Sequence, residues 1–191
     1  MRIFATPNLR VAGILDVAKV ASSSIARAVI ASCYPEIDRQ ISSDDDYPAG
    51  YHRHNIHWQQ LAPKLHANNR EPVVMLIRCP IARFVAACHQ FNVEPAAILA
   101  GPVSAGGYTL NFNEPHFRSQ SWLRNHHAKK HVVTTYRIED QLPEFLAATG
   151  LPSLPQINTA TSKATEKPTL TAAQRNQLQS IYAADLALHA E

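Results

Sequence analysis

Residues 71 to 91 read EPVVMLIRCPIARFVAACHQF, and the order of residue types in this stretch decides the fold class. After Pro72, the run VVMLI is continuously apolar. Such a run fits a strand covered on both faces, as in a parallel sheet, and not one that alternates between core and water. Pro80 then stands where a proline favours a helix start, and Ile81, Phe84, Val85 and Cys88 follow at helical spacing. The stretch is therefore a strand, a turn and a helix.

The same unit recurs on either side. Residues 12 to 17, AGILDV, read as a short buried strand, and residues 22 to 33, SSSIARAVIASC, as a helix with Ile25, Val29 and Ile30 on one face and serines as natural N-caps. Residues 131 to 136, HVVTTY, read as a further buried strand, residues 139 to 149 as its helix, and Gly150 as the C-terminal stop. Strands alternating with helical or long connections specify an α/β domain with a mainly parallel sheet.

Between these units the chain is less regular. Residues 35 to 51, with three consecutive aspartates, two prolines and a glycine, form a surface loop, and Trp58, Leu61 and Leu65 give a short helix over residues 57 to 66. Residues 92 to 115 form an excursion around a Pro95 to Ala100 turn, residues 117 to 127 a helix, and residues 151 to 169 a loop. The last helix begins at Thr171, whose capping box is completed by Gln174, and it buries Leu178, Ile181, Tyr182 and Leu186. At 191 residues the whole chain is expected to be a single domain.

Composition narrows the function classes. Lys plus Arg exceed Asp plus Glu by 18 to 15, a net charge of +3, which does not call for a nucleic-acid partner. Three cysteines, Cys33, Cys79 and Cys88, make no CxxC pair and no even-numbered framework, so a reducing, cytoplasmic setting is the expectation. No stretch approaches the roughly 20 apolar residues that cross a bilayer, so no membrane association is expected. With only 6 glycines, the chain has neither GxGxxG nor GxxxxGK[ST], and the two commonest glycine-rich phosphate cradles are absent.

Ligands of parallel α/β sheets bind beyond the carboxyl ends of the strands, which directs attention to the residues there. After the first strand of the reading stand Lys19 and then Ser22, Ser23 and Ser24 at a helix start. A lysine and hydroxyls beside free helical N–H groups suit a phosphate or sulfate, and equally describe a serine-capped helix with a surface lysine. After VVMLI come Arg78 and, on the first turns of the next helix, Arg83. Either can offer a planar fork to a phosphate or form an ordinary ion pair, and the topology tends to bring both cationic strand ends to one crevice.

The run DVAKVASSSI is similar to the 5′-phosphosulfate loop of sulfotransferases that use 3′-phosphoadenosine-5′-phosphosulfate (PAPS), particularly their carbohydrate-type branch. VVMLIRCPIARFVAA resembles the family's 3′-phosphate signature, HFRSQSWL its HxxPQxxYL-like element, and TYRIEDQLPEFLAATGLPSLPQIN its YExL…LGLP…N segment, while Tyr182 and Asp185 match a YxxD near the end. The resemblance runs in order over residues 12 to 188. It implies a three-layer α/β sandwich, P-loop NTPase-like, that transfers a sulfuryl group from PAPS to a hydroxyl of a carbohydrate or small-molecule acceptor without a metal. Lys19 would contact the sulfate-bearing phosphate and the bridging oxygen, Ser22, Ser23 and Ser24 would supply donors, and Arg78, with Arg83 beyond it, would bind the cofactor's 3′-phosphate end. Two positions depart from the pattern: Cys79 stands for an aspartate and Ala86 for a serine. The missing hydroxyl donor is worth about 1 kcal/mol.

Sulfuryl transfer also needs a base for the acceptor's proton, and histidine suits that role near neutral pH. His52-Arg53-His54 lies between the two phosphate motifs and resembles the HxH of uronic-acid-directed members of the branch. The resemblance makes His52 and His54 candidate catalytic residues. With His57 they also have the spacing of a zinc site, and as exposed loop histidines they need no ligand at all. His126, His127 and His131, with Lys129 and Lys130, read as a solvated helix end or as positive potential toward an acidic acceptor. The alternatives to a sulfotransferase are a nucleotide-binding module of the same fold without turnover, motivated by Cys79 and Ala86, and a P-loop-like kinase, for which the glycine-rich loop and strand-end aspartate are missing.

Overall fold

Burial of the VVMLI run organises the molecule. A computed structural model describes residues 3–6, 8–35, 70–155 and 166–191. In chain order these form β1 (Ile3–Ala5), β2 (Gly13–Leu15), α1 (Ser22–Cys33), β3 (Pro72–Ile77), α2 (Pro80–Phe91), α3 (Pro95–Ala100), β4 (Val103–Ala105), β5 (Tyr108–Leu110), α4 (Gln120–Ala128), β6 (Val132–Arg137), α5 (Leu142–Thr149), α6 (Ala172–Ile181) and α7 (Ala183–Ala190). The sheet order is β1-β2-β3-β6. β2 pairs with β3 in parallel, Ile14 opposite Val74, and β3 pairs with β6 in parallel, Val74 opposite Thr134. The protein is thus α/β with a mixed, mostly parallel sheet.

Every residue of β3 after Pro72 is buried, with Met75 and Leu76 fully so. The absence of inside–outside alternation means that both faces of the strand are covered, as its continuous apolar run requires. Ile14, Leu15, Ile25, Val29, Phe145 and Leu188 join it in the main core. Each such side chain contributes about 1.5–3 kcal/mol when removed from water. A second cluster lies beneath α2: Phe84, Ala87 and Cys88 meet Ile98, Leu110, Phe117, Leu178 and Tyr182. There Phe84 stands edge-on to Phe117 at 5.5 Å and to Tyr182 at 6.5 Å, the geometry that the aromatic quadrupole favours.

Several boundaries differ from the sequence reading. The amino-terminal IFA adds β1, antiparallel to β2, with Phe4 opposite Ile14. Within 92–115, β4 and β5 make a hairpin whose turn, Gly106-Gly107, has φ of 56° and 80°, values that glycine adopts without steric cost. The helix expected over 117–127 starts at Gln120, and the one expected from 139 starts at Leu142. Gly150 ends that helix with φ 81° and donates to the Leu146 carbonyl, as a left-handed C-terminal glycine does. The helix from Thr171 has its capping box but divides at Tyr182 into α6 and α7. The expected loop over 35 to 51 lies almost wholly outside the described residues, as does the short helix over 57 to 66. No helix among the described residues is long and apolar enough to cross a membrane. The three cysteines are free thiols, Cys33 and Cys88 buried.

Candidate functional site

Because β2, β3 and β6 run in parallel, the residues following them emerge at one edge of the sheet. Lys19 follows β2, Arg78 and Cys79 follow β3, and Glu139 follows β6. The loop from β2 into α1 turns sharply: Val20 N–H donates to the Val17 carbonyl, and both Lys19 (φ 66°) and Ala21 (φ 52°) are left-handed. Left-handed backbone costs a residue with a Cβ roughly 1–2 kcal/mol, so the surrounding structure must hold the loop in place. Ser22, Ser23 and Ser24 open α1, but its N-cap is Ala21, which offers no side-chain cap. The expected serine cap is corrected by one residue: the cap position is Ala21 and the serines are the first helical residues. Their N–H groups belong to the helix start, where backbone donors and the macrodipole favour an anion.

Arg83 holds that loop. It is 0% exposed on α2, and its guanidinium donates from Nε to the Ala18 carbonyl at 2.9 Å, from Nη1 to the Arg118 carbonyl at 2.8 Å and from Nη2 to the Pro115 carbonyl at 2.9 Å. The fork expected to face a phosphate thus ties the residue before Lys19 to the segment before α4. Burial lowers its pKa, opposed by Tyr182, Asp185 and Glu114. Helical spacing alone could have revealed this position. Arg83 lies on the stripe of α2 that also carries Phe84, Ala87 and Cys88, the face turned to the second core.

Arg78 is placed differently. It is half-buried at the sheet edge, and its Nη1 reaches the Lys19 carbonyl at 3.4 Å. The two cationic strand ends therefore meet. Desolvation is the main cause holding the Lys19 pKa below its ordinary value, and repulsion from Arg78 adds to it. Two cations brought together at the sheet edge, with Lys19 partly desolvated, repel each other, and a nearby anion would offset that repulsion. Ala86, where the family pattern has a serine, lies half-buried on α2.

Two residues not assigned a role from sequence fix the turn that carries Arg78. Gln120, 1% exposed at the start of α4, accepts from Arg78 N–H at 3.0 Å through Oε1 and donates to the Arg78 carbonyl at 2.7 Å through Nε2. Its side-chain amide extends the edge of β3 as a neighbouring peptide would. Glu139 accepts from Cys79 N–H at 2.9 Å. Gln120 belongs to the HFRSQSWL element and Glu139 to the TYRIEDQLPEFLAATGLPSLPQIN segment, each of which carried a resemblance but assigned these residues no role.

His52, His54 and His57 lie outside the described residues. Among those described, no three His, Cys, Asp or Glu side chains are placed to share a metal ion. The other histidine cluster is only partly solvated. His131 is 7% exposed, the Nδ1 of His131 and the Nε2 of His127 are buried, and His127 has its pKa pushed down to about 4, chiefly by burial.

Compared with protein-family models, curated proteins and solved structures, the chain matches none.

Proposed function

We propose that this protein is a PAPS-dependent sulfotransferase of P-loop NTPase-like, three-layer architecture, acting on a hydroxyl of a carbohydrate or small molecule. The observation that carries this reading is the meeting of Lys19 and Arg78 at the carboxyl edge of the sheet, where the Arg78 guanidinium reaches the Lys19 carbonyl at 3.4 Å. Two motifs 59 residues apart in sequence, each resembling one phosphate-binding element of that family, are neighbours in space.

In the proposed reaction the acceptor hydroxyl loses its proton to a base as its oxygen bonds to the sulfur of PAPS. The bond from sulfur to the bridging oxygen breaks, and its electron pair leaves with the 5′-phosphate of 3′-phosphoadenosine-5′-phosphate (PAP). Charge develops on that oxygen, where the Lys19 ammonium and the first N–H groups of α1 are suited to stabilise it. Arg78 binds the 3′-phosphate, and Arg83 serves by holding the Lys19 loop. His52 and His54 are the proposed base candidates, with His52 first. No metal is required.

Cys79 and Ala86 favour one second reading, a nucleotide-binding module without turnover. Parallel incubations with PAPS and with ATP, each with a panel of saccharide acceptors and with or without EDTA, separate the readings. PAP formed in step with sulfated acceptor supports the transferase, PAP binding without turnover supports the module, and phosphoryl transfer from ATP that EDTA abolishes would replace both with a kinase.

A further inference from the structure

We infer that Asp185, on the last helix of the chain, is a positioning residue for Arg78 that acts through Gln120. Asp185 is 1% exposed, and both its carboxylate oxygens are engaged at the start of α4. Oδ1 accepts from the Ser119 hydroxyl at 2.6 Å and from Ser121 N–H at 2.9 Å, and Oδ2 accepts from Gln120 N–H at 2.8 Å. A carboxylate at this place satisfies helical N–H groups and complements the positive end of the helix. It also fixes the backbone of Gln120, whose side chain holds Arg78 by both its N–H and its carbonyl.

One helical turn beyond Asp185, the same helix makes a second connection. His189 Nε2 lies 3.2 Å from Glu139 Oε2, and the other oxygen of Glu139 accepts from Cys79 N–H. Residues four apart share a helix face, and between them Leu188 anchors α7 in the main core. The consecutive peptide N–H groups of Arg78 and Cys79 are therefore both held by side chains that α7 supports. A guanidinium that must fork a phosphate depends on such support, because a ligand-binding side chain is only as well placed as the shell behind it. Only the identity of what Arg78 binds rests on the proposed function. The path from α7 to the turn stands without it.

The test uses the full chain as wild type, Asp185→Asn and Gln120→Met. Amide hydrogen exchange is followed at Arg78 and at Met75 inside β3, together with affinity for PAP and AMP. In both variants the Arg78 amide should exchange about tenfold faster while Met75 stays protected, and PAP should bind about tenfold more weakly with AMP unchanged. Unchanged exchange at Arg78 in Asp185→Asn, equal acceleration at Met75, or equal loss of PAP and AMP affinity would overturn the inference. If Asp185→Asn does not fold, Asp185→Glu, which keeps the charge but displaces the carboxylate from the start of α4, decides by the same criteria. If the wild type fails to bind PAP, the proposed function falls and the exchange data still decide whether Asp185 positions Arg78.

Discussion

Lys19 joins two costs at one residue: a left-handed backbone and an ammonium partly removed from water beside Arg78. Neither stabilises the fold by itself, and strain of this kind persists where the chain around it leaves no alternative. Arg83 supplies part of that constraint at the Ala18 carbonyl. Lys19→Ala should leave the fold intact and reduce sulfuryl transfer by about 10²–10³-fold, since one well-placed electrostatic contact to a developing charge contributes about 3–4 kcal/mol. Steady-state transfer from PAPS measures this, and retained turnover would remove Lys19 from the mechanism. Ala21, at φ 52°, tests the strain separately. Ala21→Gly should stabilise the protein by about 0.5–1 kcal/mol, because the relief of left-handed strain exceeds the added freedom of the unfolded chain. The urea midpoint should rise, and a fall would mean that the loop carries little strain.

Elements were legible wherever their signals were local. The 22–33 helix has the bounds read from its apolar spacing, β3 follows its apolar run, and the Thr171–Gln174 capping box forms as its sequence requires. What stayed hidden depends on tertiary partners. β1 is three residues long and exists through pairing with β2. The hairpin did carry a local signal in Gly106-Gly107, obscured by the surrounding Pro- and Ala-rich sequence. Arg83 was legible as a cation after a strand but not as a buried clamp, because its three acceptors are backbone carbonyls from distant segments. Arg83→Met should lower stability by about 3 kcal/mol, as it leaves those carbonyls without their donor while filling a similar volume. Chemical denaturation reads this directly, and a change below about 1 kcal/mol would show that water replaces the guanidinium.

Across the whole molecule, the carboxyl edge of the sheet gathers the cationic strand ends, while α4 carries a histidine cluster at its other end. His127 is pushed down to about 4, with burial first and the charges of His126, His131 and Lys130 among the further causes. Its folded pKa lies below its unfolded value of about 6.5, so the folded state resists protonation. The stability this represents is fully present above the unfolded pKa and is lost as pH falls from about 6.5 toward about 4. Melting temperatures across that interval should therefore fall more steeply for the wild type than for His127→Gln. Parallel curves would show that the ring is hydrated in the native state.

The central claim is that Arg78 and Lys19 together recognise a nucleotide bearing phosphates at both its 3′ and 5′ positions. A thermal-shift comparison of PAP with AMP, on the wild type and on Arg78→Ala, tests it most directly, since a ligand that binds the native state raises the melting temperature by mass action. PAP should stabilise the wild type more than AMP at equal concentration, and Arg78→Ala should remove most of that difference. Equal shifts for PAP and AMP on the wild type would contradict the account.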